Sequence, residues 1–279
     1  MKKSLLAASI LLAAGSVSAA PFYLDVGTDY SLTDSGQVCA TCTSMKDEIL
    51  FLYDSTTTIV DTDGSLSINA GDALTTDGGL AVGPLGTNQI TGFSPNEVFG
   101  ADSNNGYGPN WLMSFSVTGL DGVVTGVSGL GVPLFTYGPG LLELFITFNG
   151  VTFNNFMDIA ITGGGATGVS TILTGMVDFT TVDAGFNDLF HSGTTDCMGS
   201  DSFFDIWTNC GVALPISFFA SFDTNIFVSD FTFDGVDTFT LTSNHDGSAT
   251  FTVPEPGTLA LMGISLLAMG GMARRSKKA

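Results

Sequence analysis

The sequence predicts an all-β protein, and three observations carry that prediction. The central part of the chain is rich in Phe, Val, Ile, Thr and Gly, which favour strands and turns over helices. Short runs of alternating apolar and polar residues recur, as in residues 111–118, 141–148 and 171–179. Gly-rich turn signals separate these runs. Together these features predict one domain over residues 20–253, a β-sandwich or jelly-roll-like fold.

The last part of this domain has the clearest strand pattern. Residues 227–233 and 238–242 alternate as two strands, and Asp234-Gly235 joins them as a two-residue hairpin turn. Residues 244–247 have the composition of a second turn, and residues 249–253 that of a third strand. The sequence therefore predicts a three-stranded meander that runs directly into the C-terminal tail.

Further turns and two helices are predicted elsewhere in the domain. Asn149-Gly150 and Asp121-Gly122 have the composition of hairpin turns. Residues 44–52 open with a Ser-x-x-Asp pattern that is typical of a helix start, and residues 183–191 are a second candidate helix. Residues 77–110 contain the densest Gly and Pro signals, and we expect a loop-rich stretch there.

Charged residues are distributed unevenly along the chain. It has 27 acidic and seven basic side chains, which gives a formal net charge of −20. Apart from Lys46, every basic residue lies near one of the two chain ends. Residues 21–253 thus carry 26 carboxylates against that single lysine. We expect no nucleic-acid binding, because phosphate contacts need clustered Lys and Arg.

The N-terminal segment has the pattern of a secretory signal peptide. Two lysines precede an apolar run from Leu5 to Val17, which is too short to span a bilayer comfortably. Small residues at 17–19 fit the cleavage pattern of signal peptidase. We therefore expect a signal peptide over residues 1–19 that delivers the chain to the secretion machinery, and an extracytoplasmic domain that begins at residue 20.

The C-terminal tail combines a Pro-Glu-Pro triplet, an apolar run and a basic end. The two prolines favour extended chain at the triplet, because proline lacks a backbone donor and disfavours helix. The apolar run predicts a single transmembrane helix over residues 258–273, about 24 Å long against a bilayer core of about 30 Å. The basic residues that follow are expected on the cytoplasmic side of the inner membrane.

This tail resembles the PEP-CTERM protein-sorting signal of Gram-negative bacteria that make exopolysaccharide. The resemblance covers residues 253–279, with the triplet, the helix and the arginine pair in the family's order. It implies an exosortase as partner, which recognises the tail and cuts near Pro-Glu-Pro. It also implies transient anchoring at the inner membrane and a final place at the cell surface or in the extracellular matrix. The residues that match the signal are Val253, Pro254, Glu255, Pro256, Arg274 and Arg275.

Four cysteines in an exported chain predict disulfides. Cys39 and Cys42 form a C-x-x-C pattern, and Cys197 and Cys210 are a second pair. We favour a bond within each pair, while pairing between the two groups stays open. A thioredoxin-like redox site is disfavoured because no βαβ context surrounds the pattern, and a zinc site because further ligands are few.

Acidic residues cluster at one candidate cation site. Asp61 and Asp63 open a stretch like the start of a calcium loop, with Asp72 further along, and hard carboxylate oxygens suit Ca²⁺. An EF-hand is not expected, since the sixth position is not Gly and Asp72 replaces the terminal Glu. The alternative is a solvated acidic surface that keeps an envelope protein soluble. A second, weaker candidate comprises Asp230, Asp234 and Asp237.

No short catalytic motif is visible in the sequence. Of the two histidines, His245 lies in a predicted turn and is expected to be exposed, and His191 lacks a persuasive triad. A carboxylate pair for glycoside hydrolysis would leave no short motif. The glutamates that such a pair would draw on are Glu48, Glu97 and Glu143.

These observations predict a non-enzymatic, exported structural or adhesive protein of the cell surface or biofilm matrix, processed by an exosortase. Exopolysaccharide and Ca²⁺ are its candidate ligands. The alternative is a secreted glycoside hydrolase that carries the same tail, and a polymerising matrix subunit is a third option. Four aromatic residues are candidates for stacking on sugars, although core packing is favoured for the two Trp. They are Trp111, Trp207, Tyr107 and Tyr137.

Overall fold

The computed structural model describes residues 19–30, 36–95, 103–166, 168, 170–193, 199–210, 215–223 and 226–253. Strands dominate these residues, which confirms the all-β prediction. The strands are β1 (Phe22–Leu24), β2 (Glu48–Val60), β3 (Ala73–Gly79), β4 (Gln89–Ser94), β5 (Leu112–Val127), β6 (Pro133–Tyr137), β7 (Gly140–Thr147), β8 (Asn154–Ala166), β9 (Ser170–Asp178), β10 (Phe190–Ser192), β11 (Ser217–Asp223), β12 (Thr232–Phe233) and β13 (Thr238–Thr252). Among the same residues, the helices are α1 (Phe203–Cys210) and a 3₁₀ turn at Val228–Asp230.

Eight strands of one antiparallel sheet close into a barrel, so the predicted β-sandwich or jelly roll is wrong. The order around the barrel is β2, β3, β5, β7, β8, β9, β11 and β13, and β13 pairs again with β2. That closing ladder runs from the Thr238–Val60 pair to the Ala249–Ile49 pair. Closed and open all-β folds share the same local strand and turn signals. They differ in long-range pairings such as β13 with β2, which leave no local signal in the sequence.

Two further features shape the wall of the barrel. β6 lies beside β7 and also joins β5 to β8, so the wall holds an extra short strand there. Adjacent to this point β8 has a bulge, after Ile161, and then the consecutive glycines Gly163 to Gly165. A Cβ on Gly164 would lie 2.2 Å from the Ile172 carbonyl oxygen, so only glycine allows the strands to approach this closely.

The strands alternate between an apolar inner face and a polar outer face. In β11, Phe218, Ala220 and Phe222 are buried and point inward, whereas the residues between them are more exposed. The inward side chains form two apolar clusters, one around Phe51, Phe115 and Phe251 and a smaller one around Phe135, Phe239 and Ile59. Inward-facing hydroxyl, imidazole and phenol groups lie between the two clusters.

A small cap closes the end of the barrel that holds the larger cluster. It consists of the two-stranded β1–β10 sheet and α1. The Phe22 ring stacks on Phe190 at 5.2 Å between centroids, and Phe203 meets Phe251 of β13 edge-on at 5.4 Å. The Ala20 amide donates to the Phe251 carbonyl oxygen at 2.8 Å. The start and the end of the described domain therefore meet at the same end of the barrel.

The predicted C-terminal meander is only partly correct. Asp234-Gly235 does lie between β12 and β13, but the connection has four residues, 234–237, rather than two. Of the strand predicted over 227–233, only Thr232–Phe233 is a strand, because Val228–Asp230 forms the 3₁₀ turn. Residues 244–247, however, are not a turn, because β13 continues through them. The ladder to β2 pairs each of them, including Asn244 with Asp54 and Gly247 with Phe51. Turn-forming residues stay extended here because a long partner strand supplies their hydrogen bonds.

Three other local predictions are wrong, and one is correct. Residues 48–52 belong to β2 rather than to a helix, residues 183–191 form turns followed by β10, and Asp121-Gly122 lies inside β5. In each case strand pairing overrides a local turn or helix signal. Asn149-Gly150 does lie in the β7–β8 connection, as predicted.

The predicted transmembrane helix over residues 258–273 and the signal peptide up to residue 18 lie outside the described residues. Within the residues that the structure describes, no helix is both long and apolar enough to cross a membrane.

Candidate functional site

The outer face of the barrel carries a groove of about 540 Å³ across its closing seam. The groove crosses β4, β2, β13, β11 and β9, which are neighbours in that order. Most of the residues that line it carry a carboxylate or a hydroxyl, and Leu50 and Phe51 add apolar surface. The residues that line it are Glu48, Leu50, Phe51, Thr91, Ser170, Ser221, Asp223, Asp246, Gly247 and Ser248.

The polar lining follows from strand alternation. Because Phe222 and Ala249 point into the barrel, Ser221 and Ser248 beside them must point outward. These two serines are paired across the β11–β13 ladder, and their small side chains leave the wall recessed. The Ser248 hydroxyl donates to Glu48 Oε1 at 2.9 Å, which fixes one carboxylate at the groove.

The one lysine of the domain does not reach the surface. Lys46 is fully buried under the cap, and its Nζ donates to the Pro95 carbonyl oxygen at 3.3 Å. No other Lys or Arg occurs between residues 4 and 273. The described surface therefore presents carboxylates without any lysine or arginine to balance them.

A polar layer crosses the barrel interior, and His245 is its centre. Its Nδ1 lies 2.9 Å from the Asp223 carbonyl oxygen, and its Nε2 lies 2.8 Å from Ser55 Oγ and 2.7 Å from Ser243 Oγ. A carbonyl can only accept, so Nδ1 carries the proton and Nε2 accepts from hydroxyl groups. Burial lowers the pKa of His245, although the Asp223 carbonyl and nearby carboxylates oppose that shift. The prediction that His245 is exposed is therefore wrong.

Next to this layer lies an internal cavity of about 40 Å³. Two tyrosines, Tyr53 and Tyr137, face it, and burial raises the pKa of both, to about 12 for Tyr137. Thr171 also lines the cavity, and its buried hydroxyl has no hydrogen-bond partner among the residues that the structure describes.

The structure brings the predicted calcium ligands together at the end of the barrel opposite the cap. One oxygen each of Asp61, Asp63 and Asp72 lies within 4.8 Å of the others. Backbone amides of the same loop already donate to them: Asp61 Oδ1 accepts from Gly64 at 2.8 Å, and Asp72 Oδ2 from Asn69 at 2.9 Å. Hydrogen bonds, led by those from Ser65, lower the pKa of the exposed Asp63. Calcium binding here stays a prediction.

The second acidic candidate is not one cluster. Asp234 Oδ1 accepts from three backbone amides of its own turn, among them Val236 at 2.8 Å, and these bonds lower the pKa of Asp234. Asp230 Oδ2 instead accepts from the Phe227 amide at 2.8 Å. In both cases the carboxylate holds its local backbone in place.

The three cysteines that the structure describes lie in or beside the cap. Cys39 and Cys42 form a disulfide with a Cα–Cα distance of 4.9 Å. Cys210, at the end of α1, is also disulfide-bonded. Cys197, its predicted partner, lies outside the described residues.

The glutamate of the hydrolase alternative pairs with an aspartate. Glu143 of β7 lies directly opposite Asp158 of β8 on the outer face. Burial and the charge of Asp158 raise the pKa of Glu143. Asp158 itself is only 1% exposed, and its Oδ1 accepts from Asn155 Nδ2 at 2.7 Å. Of the other two candidates, Glu48 lines the outer groove, and Glu97 lies outside the described residues.

The histidine of the cap also has a structural environment. The His191 ring stacks on Tyr23 at 4.8 Å, and its Nδ1 lies 3.3 Å from Asp201 Oδ1. The Tyr23 hydroxyl donates to Asp201 Oδ2 at 2.6 Å, and burial together with this carboxylate raises the pKa of Tyr23. These contacts hold β1 against β10 and the chain before α1.

Of the four predicted sugar-stacking aromatics, one is buried and the other three are partly buried against neighbouring side chains. Trp111 is buried, and its Nε1 donates to the Asn105 carbonyl oxygen at 2.9 Å. Tyr107 bridges β4 and β5, since its hydroxyl donates to the Ile90 carbonyl and accepts from the Met113 amide. Tyr137 faces the internal cavity, and Trp207 packs against Phe179 and Phe204.

An exposed aromatic that the sequence reasoning missed is Phe219. It is 47% exposed on the outer face of β11, two residues from Ser221 in the groove. A signal was available, because two consecutive Phe residues in a strand place one ring on each face. Since Phe218 fills the core, Phe219 must point outward.

The comparison with protein-family models identifies the C-terminal tail. The PEP-CTERM protein-sorting motif matches residues 252–277. This motif is an exosortase-processed sorting signal, and it indicates an exported protein with an exosortase as processing partner. The match begins in the last residue of β13, and the tail residues beyond Val253 lie outside the described structure. No curated protein matches the chain.

Proposed function

We propose that this chain is a non-enzymatic structural or adhesive protein of the cell surface or the exopolysaccharide matrix. An exosortase removes its tail and releases or reattaches the barrel outside the inner membrane. The observation that carries this proposal is the PEP-CTERM motif at residues 252–277, which starts where the last barrel strand ends.

The position of the two chain ends supports processing on a folded barrel. The Ala20 amide bonds to the Phe251 carbonyl, so the predicted signal-peptide cleavage point and the sorting tail leave the same end of the barrel. A precursor held through its tail then turns this capped end towards the membrane. The outer groove lies on the side wall, and it stays accessible in both the precursor and the product.

The surface charge supports a place outside the cell among neutral or cation-bridged polymers. A barrel whose described surface bears carboxylates and no lysine or arginine repels anionic lipid headgroups. Such a barrel is suited to release from the membrane rather than to adsorption on it. The same repulsion keeps copies of the protein apart, which favours a soluble module over a self-assembling subunit.

Surface exposure of the barrel tests this function. We expect protease added to intact host cells to remove the barrel from wild-type cells. In a variant with Pro254, Glu255 and Pro256 replaced by alanine, we expect the barrel to stay protected until the outer membrane is permeabilised. Equal protection of both proteins in intact cells would contradict a surface function.

The hydrolase alternative rests on the Glu143–Asp158 pair and its raised Glu143 pKa. It requires substrate to reach Asp158, which is almost fully buried. Turnover of a polysaccharide by the wild type that disappears in Glu143→Gln, with the fold retained, would replace the non-enzymatic proposal with this alternative.

A further inference from the structure

We propose that the outer groove binds a neutral polysaccharide chain, with the Phe219 ring as a platform for one sugar. This inference deepens the proposed function and rests on it for the presence of a polysaccharide outside the cell. Three features of the described residues carry it: the chemistry of the lining, the exposed ring beside it and the charge around it.

The lining matches the hydrogen-bonding groups of a sugar. Glu48, Asp223 and Asp246 supply carboxylate oxygens, which accept from sugar hydroxyls in strong charge-assisted bonds. The hydroxyls along the groove both donate and accept, as sugar hydroxyls do. The hydroxyl residues are Thr91, Ser170, Ser221 and Ser248. A surface with both carboxylates and hydroxyls therefore offers acceptors and donors to the hydroxyl groups of a sugar.

Phe219 gives the site an apolar surface that carboxylates and serines lack. Its neighbours across the sheet are Thr174 of β9 and Thr250 of β13, whose side chains are too small to cover a ring. Ser221 follows two residues later on the same face, about 7 Å along the strand. A sugar whose apolar face stacks on Phe219 therefore places its hydroxyls within reach of the groove.

The dimensions favour a chain over a single sugar. The groove crosses five neighbouring strands, so it extends about 19 Å at about 4.8 Å between strands. Its volume of about 540 Å³ lies within the range of ligand sites. Because the groove is open along the outer face of the barrel, a longer polysaccharide chain can extend beyond it.

Charge selects against anionic polymers. Three carboxylates lie in the groove, and no described surface lysine or arginine compensates for them. A polyuronate or sulfated chain would place like charges next to them, which costs binding energy and discriminates against such partners. A neutral chain meets no such repulsion.

Titration calorimetry on the full-length protein in detergent tests the proposal. The ligands are neutral hexasaccharides of glucose, mannose and galactose, and a hexauronate. We expect at least one neutral hexasaccharide to bind and the hexauronate not to bind. Phe219→Ser and the double change Glu48→Gln with Asp246→Asn should each weaken binding at least tenfold, and Ser221→Tyr should block the groove.

Matched variants outside the groove serve as controls. Phe148→Ser removes another exposed Phe, and Asp121→Asn removes an outward carboxylate of β5. Both should bind like the wild type. Circular dichroism checks that each variant folds.

Three results would overturn the inference: no binding of any neutral hexasaccharide, unchanged affinity in the groove variants, or hexauronate binding that requires Ca²⁺. Surface exposure in host cells together with any of them would leave the proposed function in place and remove this site alone.

Discussion

The sorting tail can be recognised directly from the sequence, whereas the binding groove of the barrel cannot. The tail has a short linear signal that is recognisable in the sequence, because a processing enzyme reads an ordered run of residues. The barrel has no such signal, because its groove is assembled from five strands that are distant in sequence. Localisation and stability are therefore determined by separate parts of this chain. Changes in the tail should alter where the protein is located, and changes in the barrel should reduce its stability or its ligand binding.

The largest expected effect is a complete loss of C-terminal processing with no change in the stability of the barrel. Replacing Pro254, Glu255 and Pro256 by alanine should abolish C-terminal processing in the host, because the extended proline-flanked segment is lost. The melting temperature of the barrel should not change, since β13 ends before the triplet. Immunoblots of cell fractions and thermal denaturation measure the two effects. If this variant is still processed, the triplet is not required for C-terminal processing.

The second largest effect is expected from a substitution in the core of the barrel, which should lower its stability. Phe251→Ala should lower the free energy of unfolding by about 3–5 kcal/mol, as for other buried Phe residues. The Phe251 ring is fully buried, and its neighbours include Phe22 at 5.7 Å and Phe218 at 5.8 Å. Urea denaturation measures the loss, and Phe219→Ala on the opposite face is the matched control with an expected loss below about 1 kcal/mol. Equal losses would contradict the inner and outer assignment of these two rings.

Calcium should have an intermediate effect through the acidic loop. If Asp61, Asp63 and Asp72 bind Ca²⁺ with a dissociation constant of about 10⁻⁴–10⁻³ M, 10 mM Ca²⁺ should stabilise the fold by about 1.4–2.7 kcal/mol. Thermal melts in Ca²⁺ and in EDTA measure this shift, and Asp63→Asn should reduce it. An unchanged melting temperature in both conditions would remove the calcium site.

The smallest effect is a pH dependence that comes from His245. Burial lowers its pKa, so the folded protein keeps the imidazole neutral where the unfolded chain, with a pKa of about 6.5, takes up a proton. The contribution of His245 is fully present above about pH 6.5 and is lost as the pH falls below that value. Between pH 7.5 and 5.5 the wild type should lose more stability than His245→Gln. Identical losses in urea titrations would contradict a buried neutral histidine.

Much of the architecture could be predicted from the sequence, for identifiable reasons. Period-2 patterns and turn residues are local, and they predicted the all-β class and the position of the β12–β13 connection at Asp234-Gly235, although not its length. Barrel closure depends on the pairing of β13 with β2, across most of the chain, and the sequence carries no local mark of it. The same long ladder buried His245 and removed its predicted turn.

The candidate site was less predictable than the fold. Asp61, Asp63 and Asp72 are close in sequence, and their proximity in space could be inferred. The outer groove unites Thr91, Ser170 and Asp246, whose only relation is a shared position on the closed sheet. Phe219 could have been found from the Phe218-Phe219 pair, which reveals an outward ring in any strand.

The intact mass of the mature protein, recovered from the envelope and the medium of its own host, tests the central claim most directly. We expect a chain that begins near residue 20 and ends near Pro254-Glu255-Pro256, which would establish that the barrel is separated from its sorting tail. A mass that extends to Ala279 would contradict it, because the tail would then be a permanent part of the protein.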